Sequence, residues 1–311
     1  MARATPDLHG VLVVDKARGP TSHDVVNMAR RALGTRAVGH TGTLDPMASG
    51  VLVLVVGEAT KLSNLLGAGD KAYDAVLALG AETTSLDAEG EVVCERPVPS
   101  FRESDALAAA RRFLGVTEQQ VPKVSAVKVG GQRLYARARS AEVIVPPSRA
   151  VRLDAVTVRR LDDHHLAISL RCGKGFYVRS FARDLAHALG TVGHLTELRR
   201  VENAGFDLGA AVPADLLRAA AAQEACAREA VRASLVPLLA VCRRLPHLAL
   251  DARGSDDARH GRRVTLDSER AQALAHLRGG PCVALSEEGG PLAIVEVGDD
   301  SLRVMRGFRQ S

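Results

Sequence analysis

Asp45 is the residue in this chain whose setting best suits a chemical role. It belongs to the turn-rich stretch of residues 39–50, and the apolar residues 51–56 follow at once. An apolar run bounded by glycines predicts a strand buried on both faces, so the carboxylate is expected on a loop supported by rigid core. The alternative interpretation of Asp45 is a helix N-cap, because Asp followed by Pro46 is a common helix start. Spacing alone favours the cap, although one residue can serve in both roles.

A carboxylate can act as a nucleophile without help from a neighbouring base. Its ordinary pKa of about 3.9 leaves it ionised at neutral pH. Once a substrate covers it, loss of water favours protonation unless an arginine lies nearby. The Gly-rich turn of residues 173–180 carries Lys174, Tyr177 and Arg179 on a backbone whose glycines allow close approach. Taken by itself, Arg179 is interpreted as an ordinary surface arginine.

The hydrophobic pattern predicts the elements that must position these side chains. Residues 10–15 predict a strand, and Thr21 or Ser22 begins a helix that ends near Leu33. Arg30, Arg31 and Arg36 lie near the end of that helix, where they either complement the helix dipole or face RNA. The other predicted elements are short helices over residues 58–66 and 104–114, a strand from Lys71, a strand pair within residues 151–172 followed by a helix, and helices within residues 213–244.

Composition narrows the class of protein. The 311 residues carry a net charge of +5, which favours an anionic partner. Residues 1–244 hold 32 basic against 26 acidic side chains, whereas residues 245–311 hold nine against ten, so the positive excess lies in the first part. The second part shows short strands and turns, which predicts a small β-domain.

Cysteine use and the N-terminus indicate a cytoplasmic protein. The five cysteines are widely spaced and form no CxxC pair or Cys/His cluster with metal-ligand spacing. Reduced thiols in a cytosolic protein fit this pattern best. The N-terminal residues lack an apolar signal segment, and no apolar run is long enough to span a membrane.

Residues 39–61 have the sequence GHTGTLDPMASGVLVLVVGEATK. This segment resembles GHTGxLDPxAxGxLxxxxGxATK, the catalytic motif of the TruB family, the bacterial tRNA pseudouridine synthases. The segment DKARGPTSHDVV resembles DKPxGxTSxDxV, with Ala17 in place of proline. The segment GKGFYVRSFARDLA resembles KGxYxRxxxxDLG with Ala186 for the last glycine, and HLTELRRVENAGF resembles HxxxLRRxxxGxF. Thr84 and Ser85 depart from the family's TDTxDxxG, and Val121 and Val124 depart from its PPxYSAxK.

The resemblance assigns roles to individual residues. It implies that Asp45 is the nucleophile, that Arg179 pairs with it, and that Tyr73 stacks on the target base. Tyr73, Tyr135 and Tyr177 are the only tyrosines of the chain, and all three fall on tyrosine positions of the family pattern. Without the resemblance each would be interpreted as a partly buried core residue. The remaining substrate contacts that it implies are His40, Tyr177, Leu198, Lys16 and Lys61.

The resemblance also implies a fold and an activity. The expected fold is α+β, with a mixed, largely antiparallel sheet flanked by helices and a small PUA-like β-domain at the C-terminus. Residues 1–244 are expected to form the catalytic domain, with an RNA-binding insertion at about residues 121–150, and residues 245–311 the C-terminal RNA-binding domain. The expected reaction converts the uridine at position 55, in the T loop of tRNA, to pseudouridine. The expected partner is the T arm of tRNA. The enzyme is expected to act as a monomer and to use no cofactor.

Two other classes of function remain as alternatives. One is a non-catalytic tRNA-binding chaperone on the same fold, which an intact set of Asp45, Tyr73 and Arg179 argues against. The other is a nucleotide enzyme built on the segment GHTGTLDP, which lacks the GxxxxGK[ST] pattern of a phosphate loop. Sequence leaves open whether the nucleophile attacks carbon 6 of uracil or carbon 1 of the ribose.

Overall fold

The computed structural model describes residues 8–122 and 146–309, together with the backbone of residues 128–129 and 132–133. The first fifteen strands are β1 (Gly10–Lys16), β2 (Val38–His40), β3 (Ser49–Val56), β4 (Lys71–Leu79), β5 (Ala81–Thr83), β6 (Val92–Glu95), β7 (Gly115–Gln120), β8 (Lys128–Val129), β9 (Gln132–Arg133), β10 (Ser148–Arg160), β11 (His165–Cys172), β12 (Gly193–Asn203), β13 (Phe206–Asp207), β14 (Val212–Pro213) and β15 (Val236–Pro237). The strands after residue 245 are β16 (His247–Leu250), β17 (Val264–Thr265), β18 (Pro281–Ser286), β19 (Pro291–Val297) and β20 (Ser301–Gly307).

Helices lie between these strands. In the described residues they are α1 (Ser22–Leu33), α2 (Ser63–Ala68), α3 (Glu103–Arg111), α4 (Val178–Ala188), α5 (Ala214–Ala221), α6 (Ala225–Ala233), α7 (Leu238–Arg244), α8 (Ala252–Arg259) and α9 (Ser268–Ala273). None of these helices has the length and apolarity needed to cross a membrane.

The larger sheet is mixed and mostly antiparallel. Its described part has 11 strands, and its main path runs β14-β1-β3-β12-β4-β11-β10-β7. Most neighbours are antiparallel, but β12 lies parallel to β3, where Arg199 and Arg200 pair with Ser49 and Gly50. That junction brings the start of β3 beside the second half of β12. Side chains from two distant parts of the chain therefore meet at one place.

Both faces of β1 and β3 are buried, and the alternation of side chains explains how. Leu12, Val14, Leu52 and Leu54 point into the core that α1 and α4 help to form. The valines at positions 11, 13, 51, 53 and 55 point to the other face, where Val283, Leu285, Ile294 and Phe308 of the C-terminal part pack against them. The predicted two-sided burial of residues 51–56 is confirmed.

The helix predicted at residue 21 or 22 is confirmed, with Thr21 as its cap. The Thr21 side chain accepts from the backbone N–H of Asp24, and the Asp24 side chain accepts from the backbone of Thr21, which completes a capping box. The interpretation of Asp45 as a helix cap is wrong. The Ala48 N–H donates to the Asp45 carbonyl at 3.1 Å, and β3 begins at Ser49. Three residues leave room for one turn only.

The C-terminal part forms a second sheet in the order β16-β18-β19-β20-β17. It also contains α8 and α9, where the sequence predicted only strands and turns. Asp251 and Asp267 begin these helices, since their side chains accept from the backbone N–H groups of Gly254 and Arg270. Both are ordinary N-cap signals that the sequence analysis did not use.

Much of the predicted insertion lies outside the described residues, including Tyr135. Its described parts are residues 121–122, the antiparallel strand pair of β8 and β9, and residues 146–150, where β10 begins.

Candidate active site

The loop that carries Asp45 is fixed on both sides by hydrogen bonds. The Ser22 hydroxyl accepts from the backbone N–H of Leu44 at 2.8 Å and donates to the Leu44 carbonyl at 3.0 Å. The Gly19 N–H donates to the Pro46 carbonyl at 2.8 Å. The residues immediately before and after Asp45 are therefore held by the start of α1. A carboxylate on such a loop has a defined position before any substrate arrives.

Lys16 ties the same two segments together. Its Nζ donates to the carbonyls of Ala17, Pro20 and Pro46 at 2.9, 2.7 and 3.4 Å, and the residue has no exposed surface. Burial lowers the pKa of the Lys16 ammonium from 10.5 to about 8, although the charge of Asp45 acts in the opposite direction. The Lys16 ammonium thus faces protein carbonyls, and its expected substrate contact stays a prediction.

Arg179 forms an ion pair with Asp45. Its Nε lies 2.9 Å from Oδ2 of the carboxylate; the arginine side chain is 4% exposed and the aspartate side chain 32%. Arg179 lies in the first turn of α4, which the sequence predicted to follow the Gly-rich turn. The pairing that the resemblance implied is therefore present in the geometry, although residues 45 and 179 lie in distant parts of the chain.

A second carboxylate, Asp87, contacts the same arginine. Its Oδ2 lies 3.6 Å from Nη1 of Arg179, and the Asp87 side chain is 6% exposed. Nη1 also donates to the Ser85 carbonyl at 2.6 Å. The Ser85 hydroxyl donates to Asp87 at 2.5 Å, so this serine supplies a hydroxyl where the family pattern has threonine. Arg179 is thus held by Asp87 and Ser85, while part of the Asp45 side chain stays exposed.

Tyr177, at the start of α4, is anchored by Gln119 at the end of β7. The Tyr177 N–H donates to Oε1 of Gln119 at 2.8 Å, and Nε2 of Gln119 donates to the Tyr177 carbonyl at 3.1 Å. Gln119 is 5% exposed. This pair of hydrogen bonds fixes the backbone two residues before Arg179.

A cavity of about 400 Å³ opens over Asp45. Its size is typical of a site for a small molecule. Tyr73 and Leu198, which are 8% and 7% exposed, belong to its wall. The other lining residues include Arg149, Lys174, Tyr177, Arg179, Arg200 and Lys71. Asp45 is the one acidic side chain among the described lining residues, and it lies among five basic ones.

Tyr73 and Arg200 are direct neighbours across β4 and β12. Cross-strand partners project on the same face of a sheet, so both side chains reach the cavity. Burial raises the pKa of the Tyr73 hydroxyl above 10.0, while the charge of Arg200 and a side-chain hydrogen bond with it act in the opposite direction. Arg200 is itself 1% exposed. Buried tyrosine next to buried arginine forms one wall of the cavity.

The cavity mouth is basic and aromatic. The Arg149 guanidinium lies over the Tyr177 ring, 4.7 Å from its centroid, in a cation–π contact. The same guanidinium donates to the Gly175 carbonyl. Lys174 is exposed on the adjoining turn. These groups suit an anionic ligand that passes over the opening.

His40 and Lys61, two of the expected substrate contacts, are not among the residues that line this cavity. His40 is half-buried on β2; burial, followed by the charge of Arg200, lowers the pKa of its imidazole, and Nδ1 has no hydrogen-bond partner. Lys61 pairs with Glu58, donates to the Gly307 carbonyl at 2.7 Å and lies 5.8 Å from the Phe308 ring centroid. Lys61 thus contacts the C-terminal part of the chain.

Asp87, Lys71, Arg149 and Arg200 belong to the site, but the sequence analysis did not select them. Asp87 occupies the second aspartate of the TDTxDxxG pattern, which was a usable signal. Lys71 donates to the carbonyls of Gly67 and Gly69 at 3.2 and 2.5 Å, and burial, followed by the charge of Arg200, lowers its pKa. Arg200 is hard to find in sequence, because shifts of register on β12, before residue 197 and after residue 200, change which side chains face the cavity.

Comparisons with known proteins found matches over most of the chain. The model for the TruB family pseudouridylate synthase N-terminal domain matches residues 30–178, and that for the tRNA pseudouridylate synthase B C-terminal domain matches residues 179–241. A protein of Nocardia farcinica named tRNA pseudouridine synthase B is 41% identical over 295 residues, which cover 94% of this chain and 93% of that protein. Its namesake in Xanthomonas campestris is 47% identical over 194 residues, covering 62% of this chain and 63% of that protein.

Solved structures show the same fold. The structure of a Cbf5-Nop10-Gar1 complex has a TM-score of 0.73 at 22% identity and covers 97% of this chain and 85% of that chain. An H/ACA RNP bound to a substrate RNA containing 2'-deoxyuridine gives a TM-score of 0.69 at 19% identity, with coverage of 99% and 92%. The predicted fold, a mixed and largely antiparallel sheet with helices and a C-terminal β-domain, is confirmed.

Proposed function

Because the chain belongs to the TruB family of pseudouridylate synthases, we propose that it converts the uridine at position 55, in the T loop of tRNA, to pseudouridine, with Asp45 as the nucleophile. The observation that carries this proposal is the ion pair of buried Arg179 with a carboxylate that stays open to the cavity. Among the lining residues that the structure describes, Asp45 is the one with the chemistry of an anionic nucleophile.

The reaction explains why the site is built as a pocket. Pseudouridine formation breaks the bond between uracil and ribose and joins the same uracil to the ribose through carbon 5. The base must be detached, turned and recaptured without leaving the enzyme. Asp45 would form and then release a covalent bond during these steps, at carbon 6 of uracil or carbon 1 of the ribose. Arg179 keeps the carboxylate charged when the base excludes water.

Tyr73 and Leu198 are suited to hold the base. A uridine inside a folded loop must be flipped out, at a cost of a few kcal/mol. Stacking of a base on an aromatic ring contributes about 1 to 3 kcal/mol, which offsets much of that cost. Tyr73 offers the ring and Leu198 an apolar wall on the neighbouring strand. Tyr177, which also lines the cavity, would limit how far the base can turn.

RNA binding is assigned to surfaces around this pocket. Arg149 and Lys174 at the mouth are placed to meet phosphates near the flipped nucleotide. We assign residues 1–244 to the catalytic domain, with an RNA-binding insertion at about residues 121–150, and residues 245–311 to a C-terminal RNA-binding domain. Since Asp45, Tyr73 and Arg179 come from one chain, a monomer suffices, and it would meet its tRNA in the cytoplasm.

The test uses a tRNA transcript labelled with tritium at carbon 5 of every uridine. Joining the ribose to carbon 5 expels that tritium, so the enzyme should release one tritium per tRNA. A matched transcript with cytidine at position 55 should release none. Equal release from both transcripts would show that another uridine is modified. Tight binding of the first transcript without any release would favour the non-catalytic chaperone.

A further inference from the structure

Arg200 is a buried cation whose partners are almost all backbone carbonyls. Its Nε donates to the Val51 carbonyl at 2.7 Å, Nη2 to Gly42 at 3.2 Å and Nη1 to Thr43 at 3.4 Å. No carboxylate of the described residues lies within ion-pair distance of it. Burying a cation in this way is costly unless its donors are all used. The position therefore needs a reason beyond filling the core.

The carbonyl partners belong to the segment that ends in Asp45. Gly42 and Thr43 immediately precede Leu44, which Ser22 holds, and Val51 lies in β3, which follows the loop. The Arg200 guanidinium thus joins residues 42–43, before Asp45, to β3, which follows the loop. One arginine fixes the first half of the loop to the strand on its far side.

Backbone packing brings Arg200 close enough to do this. Gly50 has a φ of +101°, and a Cβ atom at Gly50 would lie 2.2 Å from the Arg200 carbonyl oxygen. Any other residue would push β3 and β12 apart at their parallel junction. This approach also sets the position of Arg200 beside Tyr73, its cross-strand partner.

We infer that Arg200 is a positioning residue for the proposed reaction, holding the Asp45 loop and the Tyr73 side chain in one fixed arrangement through its planar guanidinium. It acts through these two residues and needs no contact with the base. The inference rests on the proposed function. Lysine cannot replace arginine here, because its donors all lie on one nitrogen, whereas the guanidinium spreads three donor nitrogens over a planar fork that reaches Val51, Thr43 and Gly42 in fixed directions.

The substitutions that test this are Arg200→Met and Arg200→Lys, with Arg199→Met as the matched control. Arg199 is the preceding residue, but its side chain is 40% exposed and pairs with Asp15 at 2.8 Å. Arg200→Met should lower the single-turnover rate of tritium release by about 100-fold, the effect of a misplacement of about 1 Å. The Kd for tRNA should change by less than about threefold, since phosphate contacts dominate affinity. The rate of tritium release by Arg200→Lys should lie between those of the wild type and Arg200→Met. The rate for Arg199→Met should match that of the wild type.

A second readout is independent of activity. The chain has no Trp and only three Tyr, so tyrosinate absorbance can be resolved. Subtracting the titration of the matching Tyr73→Phe protein isolates Tyr73. Arg200→Met should move the Tyr73 titration to higher pH, because a nearby cation favours tyrosinate, whereas Arg199→Met should leave it in place.

The outcomes separate the two proposals. If the wild type releases no tritium, the proposed function fails. If Arg200→Met folds and leaves the Tyr73 titration unchanged, the Arg200 inference is overturned whatever the activity. It is also overturned if Arg199→Met and Arg200→Met lose the same rate, because that would indicate general destabilisation. Should Arg200→Met not fold, Arg200→Lys decides, and a wild-type rate in that variant contradicts the inference.

Discussion

Nε of Arg179 lies 2.9 Å from Oδ2 of Asp45, yet the arginine side chain is 4% exposed and the carboxylate 32%. The cation is enclosed by protein, and the anion faces the cavity. A structural ion pair gains little from such asymmetry, because solvent screens its open half. A nucleophile benefits from this asymmetry, because the buried arginine stabilises its charge while the carboxylate stays accessible to a substrate.

Replacing Asp45 with Asn should abolish turnover and leave the fold and the RNA affinity near those of the wild type. The amide keeps the size of the side chain but is a poor nucleophile. Arg179 retains Asp87 and the Ser85 carbonyl, so its burial remains compensated. Tritium release, tRNA titration and thermal unfolding should be measured on one preparation.

The matched control for that substitution is Asp215→Asn. Asp215 is 89% exposed in the first turn of α5 and pairs only with Arg218 among the described residues. The Asp215→Asn protein should release tritium at the wild-type rate. A rate close to wild type in Asp45→Asn would remove Asp45 from the chemistry. Binding without turnover in the wild type as well would leave the chaperone as the remaining interpretation.

Tyr73→Leu should lose far more turnover than Tyr73→Phe. Phenylalanine retains the stacking surface and loses only the hydroxyl that meets Arg200, whereas leucine loses the ring and its stacking energy of about 1 to 3 kcal/mol. The rates of tritium release under saturating tRNA measure the difference. Tyr177→Phe keeps the cation–π contact with Arg149 and serves as the control. Similar rates for wild type, Phe and Leu would mean that Tyr73 does not hold the base.

Local pattern predicted much of the fold because the relevant forces are local. The two-sided burial of β3 follows from an unbroken apolar run, and the start of α1 follows from a capping box at Thr21 and Asp24. Asp45 was a harder case. Asp45 followed directly by Pro46 is a genuine helix-start signal. However, β3 begins too soon for a helix to form, and only the tertiary structure shows this.

Residues of the site could be predicted only where they belong to a recognisable motif. Arg179 and Asp45 are brought together by the sheet, and no spacing in the sequence encodes their 2.9 Å contact. Lys16 has the motif position expected of a substrate contact, yet its ammonium is used by protein carbonyls. Arg200 stands next to Arg199 in sequence, and only the pairing of β12 with β3 and β4 makes one buried and the other exposed.

Deleting residues 245–311 should destabilise the catalytic part of the chain. The second sheet covers apolar side chains of β1 and β3, including Val11, Val13 and Val53. Uncovering them would create an apolar patch that favours aggregation and lowers the unfolding temperature. Thermal unfolding and binding of a hydrophobic dye report this change. As a control, Met305→Ser changes a side chain that is 53% exposed on β20, and it should leave both readouts unchanged. A truncated protein that unfolds at the wild-type temperature would show that the sheet contact contributes little.

Lys16 gives a prediction for the pH dependence of stability. Burial lowers the pKa of its ammonium to about 8 in the folded protein, against its ordinary value of 10.5. Between these two values the unfolded chain binds a proton that the folded chain does not, so the free energy of unfolding rises with pH in that window. Removing the group by Lys16→Met removes this dependence. The difference in stability between wild type and Lys16→Met should therefore move in favour of the wild type as pH rises from about 8 to 10.5. The shift of the pKa bounds this movement at about 3 kcal/mol.

Denaturant unfolding of both proteins at several pH values within that window measures the difference directly. Lys174→Met, which removes an exposed lysine from the rim of the same cavity, is the control and should show no such movement. A difference between wild type and Lys16→Met that is independent of pH would mean that Lys16 keeps its proton throughout the window. The three carbonyls that accept from its Nζ would then outweigh burial, since hydrogen bonds to the charged form raise the pKa of an ammonium. In either case the cost of burying this ammonium is set by the same contacts that hold the Asp45 loop to the start of α1.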